Sequence, residues 1–403
     1  MKKNLTYLLV VIVGGVIIGG LLFYWYNLRG VGPVINGPPG NIADIIDNNQ
    51  GSGKTENNTE FPLKVPESFS ISVFARNVSG ARMMEFDVDG NLWVSRTSQG
   101  RVTAYRVENG QVGGVLAEIT GLRNPHGIAF DPQDPSVLYI AEEHQITKRR
   151  LSDSPQQKIA NLPTQGGGHF TRTIRFGPDN RLYVSIGSSC NVCDESDPRR
   201  AAIYVMNKDG SDFKQYAKGL RNAVFFTWSD VDGRMWATEM GRDLLGDNIP
   251  PEEINIIEEG KNYGWPICYG NNIHDTNFDK KTYIRNPCME PFETPPKVEM
   301  QAHSAPLGLA FVPEEGWPED MWYDLIVAFH GSWNRSEPTG YKLVRIKLDE
   351  KGNYQGTEDF ITGWLTKEGV LGRPVDVMIF DGGTMYVSDD KAGVIYKITY
   401  NRE

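Results

Sequence analysis

From Pro66 to the C-terminus, short apolar runs rich in β-branched and aromatic residues alternate with polar turns. The recurring unit is a strand, a turn carrying Asp or Gly, then a strand with Trp or Tyr near its start. The copies are 83–94, 128–140, 173–184, 224–237, 307–327 and 375–387. These six copies lie mostly 45–60 residues apart. Strand-only content at that period predicts propeller blades of about four strands each. Residues 68–78 precede the first copy and 393–400 follow the last, and they are predicted to pair and close the ring, which removes exposed edges. Only 249–257 hints at a short helix. The predicted fold class is all-β, a six-bladed β-propeller over residues 66–403.

Upstream of the propeller the pattern changes twice. Residues 5–26 are apolar and uncharged, long enough to cross a bilayer. Lys2 and Lys3 precede this run and only Arg29 follows closely, which places the N-terminus on the inner side. A cleaved signal peptide is the alternative, but no small-x-small cleavage site follows. Residues 1–29 are therefore expected to be a transmembrane anchor, and 30–65, rich in Gly, Pro and Asn, a flexible tether. Gly51-Ser52-Gly53-Lys54-Thr55 imitates the end of a phosphate-binding loop. Asn48 stands where its first glycine belongs and no strand precedes it, so it reads as linker.

Composition narrows the function. A net charge of −10 argues against nucleic-acid binding, which needs a basic face. The 43 glycines and 24 prolines fit many turns between short strands.

Aligning the copies on the aromatic residue that ends each first strand tests for a shared site. Seven residues before Phe130 lies Arg123; before Phe176, His169; before Trp228, Arg221; before Phe380, Arg373. Phe311 gives Ser304, with His303 beside it, whereas Phe86 gives Ser79, outside the pattern. Equivalent positions on innermost strands converge at one mouth of a propeller, so this ring is a candidate site for an anionic ligand. The plainer reading of any one arginine is a strand cap. His126, His169, His303 and His330 lie at strand entries of this kind, while His144 and His274 read as surface residues. Histidine, with an intrinsic pKa of about 6.5, is the natural base for an alcohol proton near neutrality.

Several motifs together carry a resemblance: His169 with Phe176-Gly177-Pro178-Asp179, Gly219-Leu220-Arg221-Asn222, Glu253-Ile254-Asn255 with Asn262-Tyr263-Gly264-Trp265-Pro266, and Gly372-Arg373-Pro374-Val375-Asp376. On these the chain resembles the soluble quinoprotein glucose dehydrogenases and sorbosone dehydrogenases, six-bladed propellers that use pyrroloquinoline quinone (PQQ) and calcium. The sorbosone-type branch is the closer match, through Gly187-Ser188-Ser189-Cys190-Asn191-Val192-Cys193 and His330-Gly331-Ser332-Trp333-Asn334-Arg335-Ser336.

The resemblance implies oxidation of the anomeric hydroxyl of an aldose, or the aldehyde of a sugar derivative. His169 would be the base, and Arg221 would polarise the reacting quinone carbonyl with Asn222 beside it. Arg373 would bind a cofactor carboxylate, with Arg123, His126, His303, His330 and Arg335 completing the cofactor set. Gly241 and Arg242 match backbone calcium ligands, and Asp247 and Glu253 in the acidic loop 243–253 extend that set, since hard cations take oxygen. Where the glucose branch has a lysine, this chain reads His330 through Arg335, and Gln301-Ala302-His303-Ser304 departs from the glucose branch's substrate aromatics. Electrons would pass to a membrane quinone or a cytochrome.

Four cysteines remain: Cys190, Cys193, Cys268 and Cys288. Asp194 after the Cys-x-x-Cys pair excludes haem attachment, and a four-cysteine zinc site would need the second pair closer in sequence. The plainer reading is two disulfides, Cys190–Cys193 and Cys268–Cys288, in a domain outside the cytoplasm, periplasmic or extracellular, secreted if the N-terminal segment is cleaved. Asn57-Asn58-Thr59 and Asn77-Val78-Ser79 are glycosylation sequons. Two other functions stay open: a propeller lactone hydrolase, which would hold one metal by Glu, Asn and Asp, and a non-enzymatic extracellular binding propeller.

Overall fold

In the computed structural model, residues 2–28, 31, 56–152, 155–164 and 167–401 are described. Five four-stranded antiparallel sheets and one five-stranded sheet form six blades. The first strands are Ala81–Phe86, Gly127–Asp131, Ile174–Phe176, Phe226–Trp228, Pro306–Phe311 and Pro374–Phe380. First strands of neighbouring blades pack together around the axis. Gly127 and Gly308 sit where they crowd: a Cβ on Gly127 would meet the Arg172 carbonyl at 2.4 Å, and one on Gly308 the Val375 carbonyl at 2.6 Å. Only glycine leaves room for a neighbouring backbone there.

The aromatic pattern has a packing cause. Each second-strand aromatic meets the first-strand aromatic of the next blade edge-on or tilted. The pairs are Trp93–Phe130, Tyr139–Phe176, Tyr183–Trp228, Trp236–Phe311 and Tyr386–Phe86, with centroids 5.1–5.8 Å apart. Ile326 takes the equivalent place in the fifth blade, opposite Ala310 in register. Such ring pairs stabilise each seam by about 0.5–1.5 kcal/mol beyond area burial.

The ring closes as expected. Phe69–Ala75 pairs antiparallel with Val394–Tyr400, so the N-terminal strand completes the last blade. The folded domain begins before Pro66. Glu56–Asn58 adds a parallel edge strand to that blade, and Phe61, Leu63 and Val65 are buried in its core. Residues 56–65 thus belong to the propeller rather than the tether; 32–55, including the phosphate-loop imitation, lie outside the described residues. The segment considered for a short helix instead holds the strand Glu252–Ile257, whose Ile254 and Ile257 are buried between neighbouring strands.

At the N-terminus Lys2–Phe23 is helical, followed by a π-helical turn over Tyr24–Leu28. Among the described residues no helix is long and apolar enough to cross a membrane, so the structure does not support the expected span. Both expected disulfides are formed, Cys190–Cys193 and Cys268–Cys288.

Candidate active site

His169 follows a loop in which Gly167 and Gly168 have positive φ, and a Cβ on Gly168 would meet the Ser189 carbonyl carbon at 2.4 Å. Gly166 lies outside the described residues. The loop therefore lies flat on 188–189 and delivers the imidazole there. His169 Nδ1 is 3.0 Å from Ser188 Oγ and 3.2 Å from the Ser188 carbonyl. Ser188 Oγ gives its own proton to the Cys190 carbonyl at 2.7 Å, so toward the ring it accepts. Two acceptors at Nδ1 make it the protonated nitrogen and leave the lone pair on Nε2. Among the described residues Nε2 has no hydrogen-bond partner. Burial, then the charge of Arg221, lowers the imidazole to about 3, so the ring is neutral at physiological pH.

The other three strand-entry histidines differ. His303 donates from Nε2 to the Gly246 carbonyl at 2.7 Å, and its Nδ1 faces Asn334 Nδ2 at 3.3 Å. His330 Nε2 is held between both Asp390 oxygens at 3.0 and 3.1 Å. His126 keeps an unpartnered Nε2 but is fully enclosed, its Nδ1 on Thr173 Oγ1 at 3.3 Å. His169 combines a fixed tautomer with an Nε2 lone pair that has no partner among the described residues, whereas the proton-bearing Nε2 of His330 is committed to Asp390. His144 and His274 are half-buried rather than exposed, and His274 pairs with Asp279.

Arg221 stands in the next blade, 4% exposed. Its Nε donates to the Asn191 carbonyl at 2.9 Å. Nη1 reaches the carbonyls of Met240 and Gly241, at 3.3 and 2.8 Å, and Nη2 reaches Asn191 Oδ1 and Asp243 Oδ2, at 3.0 and 2.8 Å. All five N–H groups thus point at protein acceptors. In this arrangement the guanidinium is a fixed positive charge beside His169 rather than a free donor. Asn222 is linked to His169 through Gly187, whose Cβ would meet Asn222 Oδ1 and His169 Cβ, both at 2.6 Å.

Arg373 donates from Nε and Nη2 to the carbonyls of His330 and Gly331, at 2.9 and 2.8 Å, and its Nη1 has no partner among the described residues. Among the described residues Arg335 makes two long contacts of 3.4 Å, to the Ala302 carbonyl and Asn248, and its buried Nε has no partner. Arg123 departs from the ring: it is exposed at the rim and paired with Glu143 at 3.1 Å. Strand register put it in line, but its side chain turns outward to that carboxylate.

Two arginines without a place in the sequence pattern add to the field. Arg172 and Arg200 both donate to the His169 carbonyl, at 2.9 and 3.1 Å. Arg172 is fully buried, its hydrogen bonds all go to neutral carbonyls, and burial with the nearby Arg200 charge lowers it to about 9. Only their burial after folding reveals these cations. Buried guanidinium groups bonded to neutral carbonyls, with Arg373 Nη1 unengaged, fit a planar polycarboxylate such as PQQ.

The expected calcium residues are engaged separately. The Gly241 carbonyl takes Arg221, and Arg242 pairs with Asp275 at 2.6 Å. Asp247 accepts from Ser336 N–H at 2.9 Å, and Glu253 accepts from Gly270 N–H and Asn255 at 2.7 and 3.0 Å. A cation at the Gly241 carbonyl would face the Arg221 charge. The side chains of Arg242, Asp247 and Glu253 are thus committed to separate partners. Among the described residues, the acid–cysteine–histidine groupings compact enough for one involve only the two disulfides.

The site thus sets a neutral base among buried cations on a six-bladed propeller. The chain belongs to the TrAA12-like family, which matches residues 63–401. An uncharacterized protein of Borreliella burgdorferi is 31% identical over 84% of this chain and 91% of its own length. A PQQ-dependent pyranose dehydrogenase of Coprinopsis cinerea is 25% identical over 84% of this chain, which spans 54% of that relative. The calcium structure of a Trichoderma reesei AA12 carbohydrate-active enzyme is 20% identical and matches 86% of this chain and all of its own, with a TM-score of 0.70. The PQQ-bound Streptomyces coelicolor aldose sugar dehydrogenase matches 83% of this chain and 99% of its own at 20% identity and a TM-score of 0.59. The resemblance read from the motifs is thus borne out for fold and family.

Proposed function

We propose that this chain is a PQQ-dependent dehydrogenase that oxidises the anomeric carbon of an aldose to the lactone. The observation that carries the reading is His169: Nδ1 held by two acceptors, Nε2 open, ring neutral. When bound, the quinone supplies a hydride acceptor. His169 Nε2 takes the hydroxyl proton as the C–H electron pair leaves with the hydride, so the substrate loses two electrons and two hydrogens. The Arg221 charge lowers the proton affinity of His169 when the site is empty, and an anionic group bound beside both would raise it. Arg373 Nη1 and the Arg172–Arg200 pair favour the cofactor carboxylates. A lactone hydrolase or a passive binding propeller would not need a neutral base set among buried cations.

Calcium belongs to this reading only alongside the cofactor, whose carboxylates would offset the Arg221 charge; the calcium structure of the T. reesei relative supports including it. The exposed apolar side chains of Val16, Ile17, Leu21 and Leu22, with the two disulfides, support attachment to a membrane and an oxidising location outside the cytoplasm. A membrane quinone or cytochrome would then be the electron acceptor. Reconstitution tests the reading: protein made without PQQ gains dye-coupled aldose oxidation on adding PQQ. Activity with a nicotinamide cofactor alone overturns it.

A further inference from the structure

Between the second and third strands of the third blade, one short turn holds both halves of the site. The disulfide Cys190–Cys193 closes it, and Asn191 lies inside. Asn191 accepts Arg221 on two atoms: its carbonyl takes Nε at 2.9 Å and Oδ1 takes Nη2 at 3.0 Å. The same Oδ1 accepts Asp243 N–H at 2.7 Å, and Nδ2 donates to the Asp243 carbonyl at 3.0 Å. Asp243 in turn grips Arg221 at 2.8 Å and Asn334 at 3.0 Å, and Asn334 leads on to His303. At the other end of the turn, the Cys190 carbonyl holds the Ser188 hydroxyl that faces His169. One disulfide-closed turn therefore sets the Arg221 guanidinium and braces the His169 tautomer.

We propose that Asn191 is the positioning residue of this site, and that the redox state of Cys190–Cys193 determines whether it holds. The inference rests on the reading of Arg221 and His169 given above. Arg221, Asp243 and Trp265, whose Nε1 donates to the Asn191 carbonyl at 3.4 Å, fix Asn191 only while the turn is closed, since a reduced turn regains backbone freedom at each residue. The two disulfides differ in access: Cys190 and Cys193 are half-buried, whereas Cys268 is 5% and Cys288 1% exposed. A phosphine reductant would therefore reach the first pair selectively, giving two thiols as the phosphine takes oxygen from water.

The test uses the full chain without cofactor, treated with mild tris(2-carboxyethyl)phosphine. Thiol labelling is expected at Cys190 and Cys193, with Cys268–Cys288 intact. Phenylglyoxal modification of Arg221, read by peptide mass spectrometry, is expected to quicken at least about tenfold, as for a locally opened group. The buried Arg345 serves as the unchanged control. Asn191→Ala should show the same fast modification, now insensitive to reductant. Arg221 as protected after reduction as before overturns the proposal, whatever becomes of the variant. In PQQ-loaded protein, reduction is expected to lower turnover with little change in KM for sugar, and reoxidation to restore it. Faster Arg221 modification in protein that never oxidises sugar leaves the clamp standing and removes the dehydrogenase reading instead.

Discussion

His169 Nδ1 and Ser188 Oγ stand 3.0 Å apart, and the hydroxyl proton is already committed to the Cys190 carbonyl. That relationship fixes which imidazole nitrogen can act. Ser188→Ala leaves the Ser188 carbonyl at 3.2 Å as the remaining acceptor. Its expected effect on turnover is severalfold, in line with ~0.5–1.5 kcal/mol for one hydrogen bond. Steady-state kinetics check this, and a loss as large as that of a base variant would mean the hydroxyl itself takes part.

Arg221 acts on His169 through charge. Removing it in Arg221→Gln should raise the imidazole from its value of about 3, because a nearby cation disfavours protonation. Titration of the ring by NMR in the unloaded protein reads this. An unmoved or lower value would show that burial alone sets it.

A buried acid predicts the pH dependence of stability. Burial pushes Asp389 up to about 7 from its ordinary 3.8, despite its hydrogen bonds from the Arg373, Lys391 and Ala392 N–H groups. Between these values the folded state holds a proton that the unfolded state has released. Its contribution is therefore complete below about 3.8 and is lost as pH rises through about 7. Asp389→Asn keeps an acceptor but cannot ionise, so its unfolding free energy should decline less over that window. Parallel curves for the two proteins would contradict the assignment.

In the fifth blade, Arg345 and Asp324 form a buried pair at 2.5 Å, with Arg345 also reaching Asp320 and Glu358. Arg345→Met leaves the Asp324 carboxyl, 2% exposed, without its cation. Breaking such a pair from one side typically costs about 3–5 kcal/mol. Urea unfolding measures it. A change below about 1 kcal/mol would mean that Asp324 is satisfied by the Leu348 N–H alone.

Much of the fold was legible because the seams are built from the repeating unit itself. The Trp or Tyr that opens each second strand is the residue that meets the next blade, so the spacing of Trp93, Tyr139, Tyr183 and Trp236 reports blade interfaces directly. The segment 249–257 misled because its strand is short and buries Glu252, Glu253 and Asn255 beside Ile254 and Ile257, so no apolar alternation marks it as a strand. Phe61, Leu63 and Val65 were hidden in a stretch whose Gly, Pro and Asn content reads as linker.

The site was legible where register decides and obscure where side-chain direction does. His169, Arg221 and Arg373 followed from strand position; Arg123 shared the position yet turned to Glu143. Asn191 and Asp243 gave no sequence signal as partners, because they meet across 52 residues through hydrogen bonds that no local pattern encodes. The contacts of the expected calcium residues were obscure for the same reason, since the Gly241 carbonyl is bonded to Arg221 from another loop.

The most direct measurement of the central claim is single-turnover absorbance of PQQ-loaded protein mixed with an aldose, wild type against His169→Gln. The substitution removes the Nε2 lone pair while leaving Arg221, Arg373 and Arg172 in place. Cofactor affinity should stay within about threefold, whereas reduction of the bound quinone should slow by roughly a hundredfold or more, within the ~10²–10⁴ a general base supplies. Near-normal reduction in His169→Gln with PQQ bound would contradict the account and move the base to another residue.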